Sequence, residues 1–138
     1  MPPLPLVQSA LAGEWSVGSD IELMEIRLGE RIDLLQRPPG LAGDPDAFAV
    51  TVVGDSMWPR FRPGRRVAVS PRSTVAIGDD VLVSLRRSER AGSKHALLKE
   101  LVRRVGDHLE LRQFNPDSTF SVDAAEIEAI YRVAGELI

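Results

Sequence analysis

Turn residues punctuate this chain so often that the apolar stretches between them stay short. Its 138 residues include 11 Gly and 10 Pro, and breakers cluster at Arg37-Pro38-Pro39-Gly40, at Gly43-Asp44-Pro45 and from Pro59 to Gly64. Between breakers the apolar residues alternate with a period of two. Phe48, Val50 and Val52 fall on one side of a run and Ala49, Thr51 and Val53 on the other, and His108-Leu109-Glu110-Leu111-Arg112 alternates in the same way. Apolar runs between turns read as strands over 66–70 and 80–85, with a short extended piece at Phe120 and Val122 and a last strand over 127–138. The polar, Gly-containing stretch 86–94 reads as a hairpin connection. Residues 95–105 are ambiguous, because Leu98, Leu101, Val102 and Val105 stand at helical spacing while hairpins flank them. The expectation is a mostly β protein of short strands, with 95–105 as a strand.

Residues 1–45 read as an amino-terminal arm and residues 46–138 as the β-rich core, one globular unit overall. The first ten residues are Pro-rich and apolar, which favours a linker or an extended edge path. Ile21, Leu23 and Ile26 suggest a short strand, and Ile32, Leu34 and Leu35 a second. Hydrophobic residues make up 43% of the chain and aromatics only 5%, so the core must be aliphatic.

Several function classes drop out. A net charge of −3 argues against a domain that binds nucleic acid unaided. The absence of Cys removes disulfides and thiolate metal sites, and two histidines are too few for a zinc site unless carboxylates complete it. No metal or other cofactor is expected. No apolar run reaches membrane-spanning length and the first residues lack a secretory pattern, so no membrane partner and a cytoplasmic location are the default expectation.

Chemistry concentrates at Val53-Gly54-Asp55-Ser56-Met57-Trp58-Pro59. A strand ending at a Gly, with a Ser at the turn, presents a hydroxyl and its own backbone amide together. That suits a nucleophile, because the amide beside it can bind a developing oxyanion. A plain strand followed by a polar turn accounts for the same residues.

This stretch resembles the LexA/UmuD/phage-repressor family of self-cleaving serine peptidases. In that family the nucleophile lies in a Gly-x-Ser-Met segment after a strand, a Lys on a later strand serves as base, and an Ala-Gly or Cys-Gly bond upstream is cut. Here the three pieces occur in the family's order: Ala12-Gly13, Ser56-Met57 and Lys99. The resemblance implies the family's fold of short, highly curved antiparallel sheets with an extended cleavage arm. It also implies Ser56 as nucleophile, the backbone amides of Ser56 and Asp55 as oxyanion donors, and cleavage between Ala12 and Gly13.

The residues around these positions fit those roles. A serine needs a base, and a lysine can be one only when neutral, against a reference pKa near 10.4. Burial lowers that value. Leu97, Leu98, Leu101 and Val102 surround Lys99, whereas Lys94, the one other lysine, sits in the polar connection. A strand lysine reaching out to solvent is the alternative. Glu100 is adjacent, but successive strand residues face opposite ways. His95 and His108 are possible bases without an evident Asp orienter. Small residues at Ala12-Gly13 let a backbone enter a narrow cleft, and Gly13 can bend there.

The chain departs from the family in two places. Many members have Gly-Asp where Gly64 is followed by Arg65, although Gly78-Asp79 keeps the pattern; and the amino-terminal helix-turn-helix of the repressors is missing. The expectation is the carboxy-terminal, self-cleaving and dimerising domain of a LexA-like or phage-repressor-like regulator that responds to DNA damage. Homodimers, with 127–138 as the pairing edge, and activation by a RecA–single-stranded-DNA filament follow from the resemblance, as does DNA contact only through a domain outside this chain. The alternatives are a non-cleaving dimerisation or sensor domain and a UmuD-like polymerase accessory protein.

Overall fold

A computed structural model describes residues 2–16, 18–87 and 91–138. Among the described residues nine strands carry the fold: β1 (Leu4–Glu14), β2 (Glu22–Leu35), β3 (Phe48–Thr51), β4 (Arg66–Ser70), β5 (Asp80–Leu85), β6 (Lys94–Val105), β7 (His108–Phe114), β8 (Asp117–Asp123) and β9 (Ile127–Glu136). Two single 3-10 turns, Pro39–Leu41 and Ala124–Glu126, are the helical segments among the described residues. The protein is mostly β, as the turn spacing predicts. Residues 88–90, inside the expected 86–94 connection, lie outside the described residues, as do Met1 and Val17.

The strands run in the order β2-β1-β3-β4-β9-β5-β6-β7-β8, and β2 also pairs with β6. That extra pairing closes seven strands into a ring and leaves β7 and β8 as a flap hanging from β6. The ring is antiparallel except where β1 meets β3, a parallel contact with Leu6 opposite Ala49. β6 holds the ring together. Its first residues pair with β2, its centre with β5 and its last third with β7. Pairing on this scale overrides the helical spacing of Leu98, Leu101 and Val105, since β structure answers to tertiary partners more than to local preference.

Three expectations are corrected. The Pro-rich start is neither a linker nor an edge, because β1 lies between β2 and β3 with Leu4, Leu6 and Val7 buried. Its Pro5 is tolerated where the ladder to β3 is reduced to a single registered pair. Residues 22–35 form one continuous strand rather than two short ones, because β1 pairs with both of its ends, from Glu22 to Arg27 and from Arg31 to Leu35. The last strand is no free edge: β9 pairs with β4 on one side and β5 on the other.

The core is aliphatic and divided. One cluster gathers Met24, Ile26, Val50, Met57, Val67, Leu82 and Leu98, and a second gathers Ile21, Leu23, Val81, Leu97, Leu101 and Leu111. A third packs Leu4 and Leu6 against Leu41 and Ala68. Both faces of β6 are therefore covered, Ala96 and Leu98 toward the first cluster and Leu97 and Leu101 toward the second. A polar side chain at position 99, on the face shared by Leu97 and Leu101, is cut off from water.

Candidate functional site

The loop after β3 turns at Gly54, whose φ of 75° lies in the left-handed region that favours glycine. Three things fix the loop. Met57 is buried in the first cluster, which pulls the residue before it inward. The carbonyl of Ser56 accepts the backbone N–H groups of Phe114 at 2.8 Å and Asn115 at 2.9 Å, tying the loop to the end of β7. The carbonyl of Asp55 accepts the N–H of Trp58 at 3.0 Å and the side-chain amide of Asn115 at 3.3 Å. Ser56 is held 5% exposed.

Lys99 reaches this serine from the centre of β6. It is 1% exposed, and its Nζ lies 3.1 Å from Ser56 Oγ across 43 residues of sequence. Glu100 points the other way, where Arg60 bridges it and Asp80 at 3.0 and 2.7 Å. Lys94 is an exposed partner of Glu128 at 2.7 Å. Burial pulls the Lys99 amine down from 10.5 to about 8, with the nearby Glu22 carboxylate opposing part of that fall. The sign follows from desolvation, which disfavours the charged form. At pH 7 a lysine with that pKa is neutral about a tenth of the time, against about one part in three thousand at its ordinary value.

Two side chains not singled out from the sequence complete the cluster. Gln113 is fully buried at the end of β7, with Oε1 accepting Lys99 Nζ at 3.0 Å and the backbone N–H of Glu22 at 3.2 Å. A signal was present: the inward face of β7 runs Leu109, Leu111, Gln113, so continuing the alternation puts a polar residue inside. Glu22 begins β2, and its Oε1 accepts the backbone N–H of Ser56 at 3.4 Å. The carboxylate lies over Gly54, where any side chain would collide with it. That carboxylate oxygen therefore occupies the acceptor position on the Ser56 amide.

The histidines stand elsewhere in the ladders, His95 opposite Glu25 in the β2–β6 register and His108 beside Asp107. Arg65 lines a different cleft, with Leu35, Arg37 and Leu137.

Ala12 and Gly13 border the site from the arm. Leu11 pairs with Met24 and Glu14 with Glu22, so three steps on β1 match two on β2 and the Ala12–Gly13 peptide falls in the bulge. Gly13 has a φ of 94° with no atom crowding its missing side chain, so its requirement for glycine is conformational. A cleft of about 310 Å³ contains Leu11, Gly13 and Glu14 on one side and Asp55, Ser56, Asn115 and Pro116 on the other. Just past the bulge, Trp15 packs against the second cluster under the guanidinium of Arg87, 4.4 Å from the ring centre. The described part of the arm is thus docked beside Ser56, with Gly13 lining the same cleft and Ala12 packed against the second cluster.

No group of three or more potential metal ligands occurs among the described residues, and no described helix is long and apolar enough to cross a membrane. The chain is 31% identical over 132 residues to Repressor protein C of Rhizobium phage 16-3. That match covers 94% of this chain and 48% of the phage protein, so the chain spans about half the length of this curated relative. The Peptidase S24-like family matches residues 5–134, a span that takes in the bulge, the Ser56 loop and Lys99 alike. With nearly its whole length matched, the chain belongs to the Peptidase S24-like family.

Proposed function

We propose that this domain is a serine peptidase that cuts its own Ala12–Gly13 bond with Ser56 and Lys99. The observation that carries the reading is the buried Lys99 amine 3.1 Å from the Ser56 hydroxyl. Neutral Lys99 takes the Oγ proton as Oγ attacks the Ala12 carbonyl carbon. The Ser56 amide, with that of Asp55, receives the oxyanion once Glu22 has withdrawn. Lys99 returns the proton to the Gly13 nitrogen as the C–N bond breaks. Water, deprotonated by the same amine, then hydrolyses the Ala12 ester and regenerates Ser56. Docking of the substrate within one chain replaces a bimolecular encounter.

The regulatory setting rests on the phage repressor relative, half of whose length this chain spans. On this reading the domain is the self-cleaving and dimerising part of a transcriptional regulator, cut in response to DNA damage with a RecA–single-stranded-DNA filament as co-activator. DNA would be contacted through a separate domain. One observation favours a second reading: the Glu22 carboxylate already holds the Ser56 amide. A domain that keeps its arm docked without cutting it would look like this.

Incubation at alkaline pH separates the two readings. Cleavage should appear as two fragments on denaturing mass spectrometry, residues 1–12 and 13–138, and should vanish in Ser56→Ala. An intact chain at every pH, with and without the activated filament, leaves the non-cleaving reading.

A further inference from the structure

We propose that Gln113 is a positioning residue, whose side-chain amide aims the Lys99 amine at Ser56 and links it to the docked arm. The inference rests on the serine–lysine reading above and extends it to a residue that makes no contact with the reacting bond.

Every hydrogen-bonding position of this amide is filled. Oε1 accepts from Lys99 Nζ at 3.0 Å and Glu22 N at 3.2 Å, while Nε2 donates to the carbonyls of Asp20 at 2.7 Å and Pro116 at 3.2 Å. The partners also fix which atom is which. Turned over, the amide would set its NH₂ against an amine and an N–H, and its oxygen against two carbonyls. The four partners come from three separate parts of the chain: the amine on β6, the arm backbone at 20–22, and the turn after β7.

Register explains how the residue gets there. Glu100 pairs with Arg112, so one step back along β6 brings Lys99 opposite Gln113. A neutral lysine has two N–H donors and one lone pair. With an N–H committed to Oε1, the lone pair is left free to face Oγ, 3.1 Å away. The acceptor is also uncharged, so it orients the amine without adding to the negative charge that favours protonation. The charged group that faces Nζ is Glu22 from β2; Asp20, Asp55 and Glu14 line the adjoining cleft, and Glu100 is turned outward to Arg60.

A purely structural glutamine predicts slower cleavage at all pH values with an unchanged midpoint. Positioning predicts more. Gln113→Glu sets a carboxylate against Nζ and should move the midpoint of the cleavage pH profile upward by about one unit. Gln113→Met should keep a midpoint near the wild type but slow cleavage about tenfold or more, and should speed exchange of the Glu22 backbone amide. An unmoved midpoint in a folded Gln113→Glu protein overturns the proposal.

A second measurement needs no change at position 113. In the uncleavable Ser56→Ala protein, the side-chain Nε2 resonance of Gln113, one of only three glutamines with Gln8 and Gln36, should shift with the same midpoint as Lys99. A resonance that stays flat through that titration overturns the proposal even if both Gln113 variants fail to fold. Failure of the wild type to cleave, with the two titrations coupled, would instead remove the peptidase reading and leave the link between Gln113 and Lys99 standing.

Discussion

Ser56 and Lys99 are 5% and 1% exposed and sit between two aliphatic clusters, while Leu11, beside the proposed scissile bond, is 56% exposed on a bulged strand. The contrast runs through every local feature. The Ser56 loop is tied down by its own carbonyl, by Met57 and by Asn115. The Ala12–Gly13 peptide has no registered partner across the ladder, although Leu4 and Leu6 anchor the start of the same strand in a core cluster. One region is dry and preorganised, which is what lowering the pKa of an amine and aiming it require. The other is held at both ends and bulged in the middle, which leaves a backbone segment outside the ladder register beside the cleft. A serine–lysine pair therefore asks for opposite virtues from neighbouring strands.

The largest expected effects break the buried side. Ser56→Ala should abolish cleavage, and Lys99→Met should slow it by about 10²- to 10⁴-fold, the range for loss of a general base. Lys99→Met should also stabilise the fold. The folded amine has a pKa of about 8 against an ordinary value of 10.5, so the unfolded chain binds more protons between those values. Wild-type stability should then rise with pH across the window from about 8 to 10.5, after bearing the full burial penalty below it. The variant lacks that penalty and should be more stable at pH 7 by about 1–3 kcal/mol, with the gap closing toward pH 10. Thermal melts of the two proteins at pH 7 and pH 10 check this, and a less stable variant at pH 7 would contradict it.

Breaking the bulged side should cost less. Gly13→Ala forces a side chain into a left-handed backbone, at roughly 1–2 kcal/mol, and should slow cleavage by about tenfold with no shift in its pH midpoint. A shifted midpoint would mean that the arm sets the chemistry of the amine and not merely its substrate. The smallest effect should come from the one side chain that belongs to both regions. Glu22→Gln removes the charge that opposes the fall in the Lys99 pKa, and it weakens the group seated on the Ser56 amide. The midpoint should move down by a fraction of a unit, and the rate at pH 7 should rise a few-fold. A slower reaction would show that Glu22 takes part in cleavage instead of standing in its way.

How much of this was legible in the sequence divides along the same line. Strands β4 and β5 matched the apolar runs 66–70 and 80–85 residue for residue, because each is bounded by turns and paired on both sides. The apolar surroundings of Lys99 were visible too, since Leu97, Leu98 and Leu101 are its neighbours in the chain as well as in space. What stayed hidden depends on contacts between distant segments. Nothing local tells that Glu22 will donate its N–H to Gln113, 91 residues away, or that β2 will run unbroken through Gly29 to Leu35. The central place of β9 was likewise unreadable, because an apolar chain end looks the same whether it closes a sheet or borders one.

The central claim is that a buried amine loses its charge near neutrality, and the chain allows a direct measurement. It has only two lysines, Lys94 and Lys99. Heteronuclear NMR titration of the side-chain amines in the Ser56→Ala protein, which should keep its arm uncut, should show Lys99 titrating near pH 8. A Lys99 amine that titrates near 10.5 or higher would contradict the account.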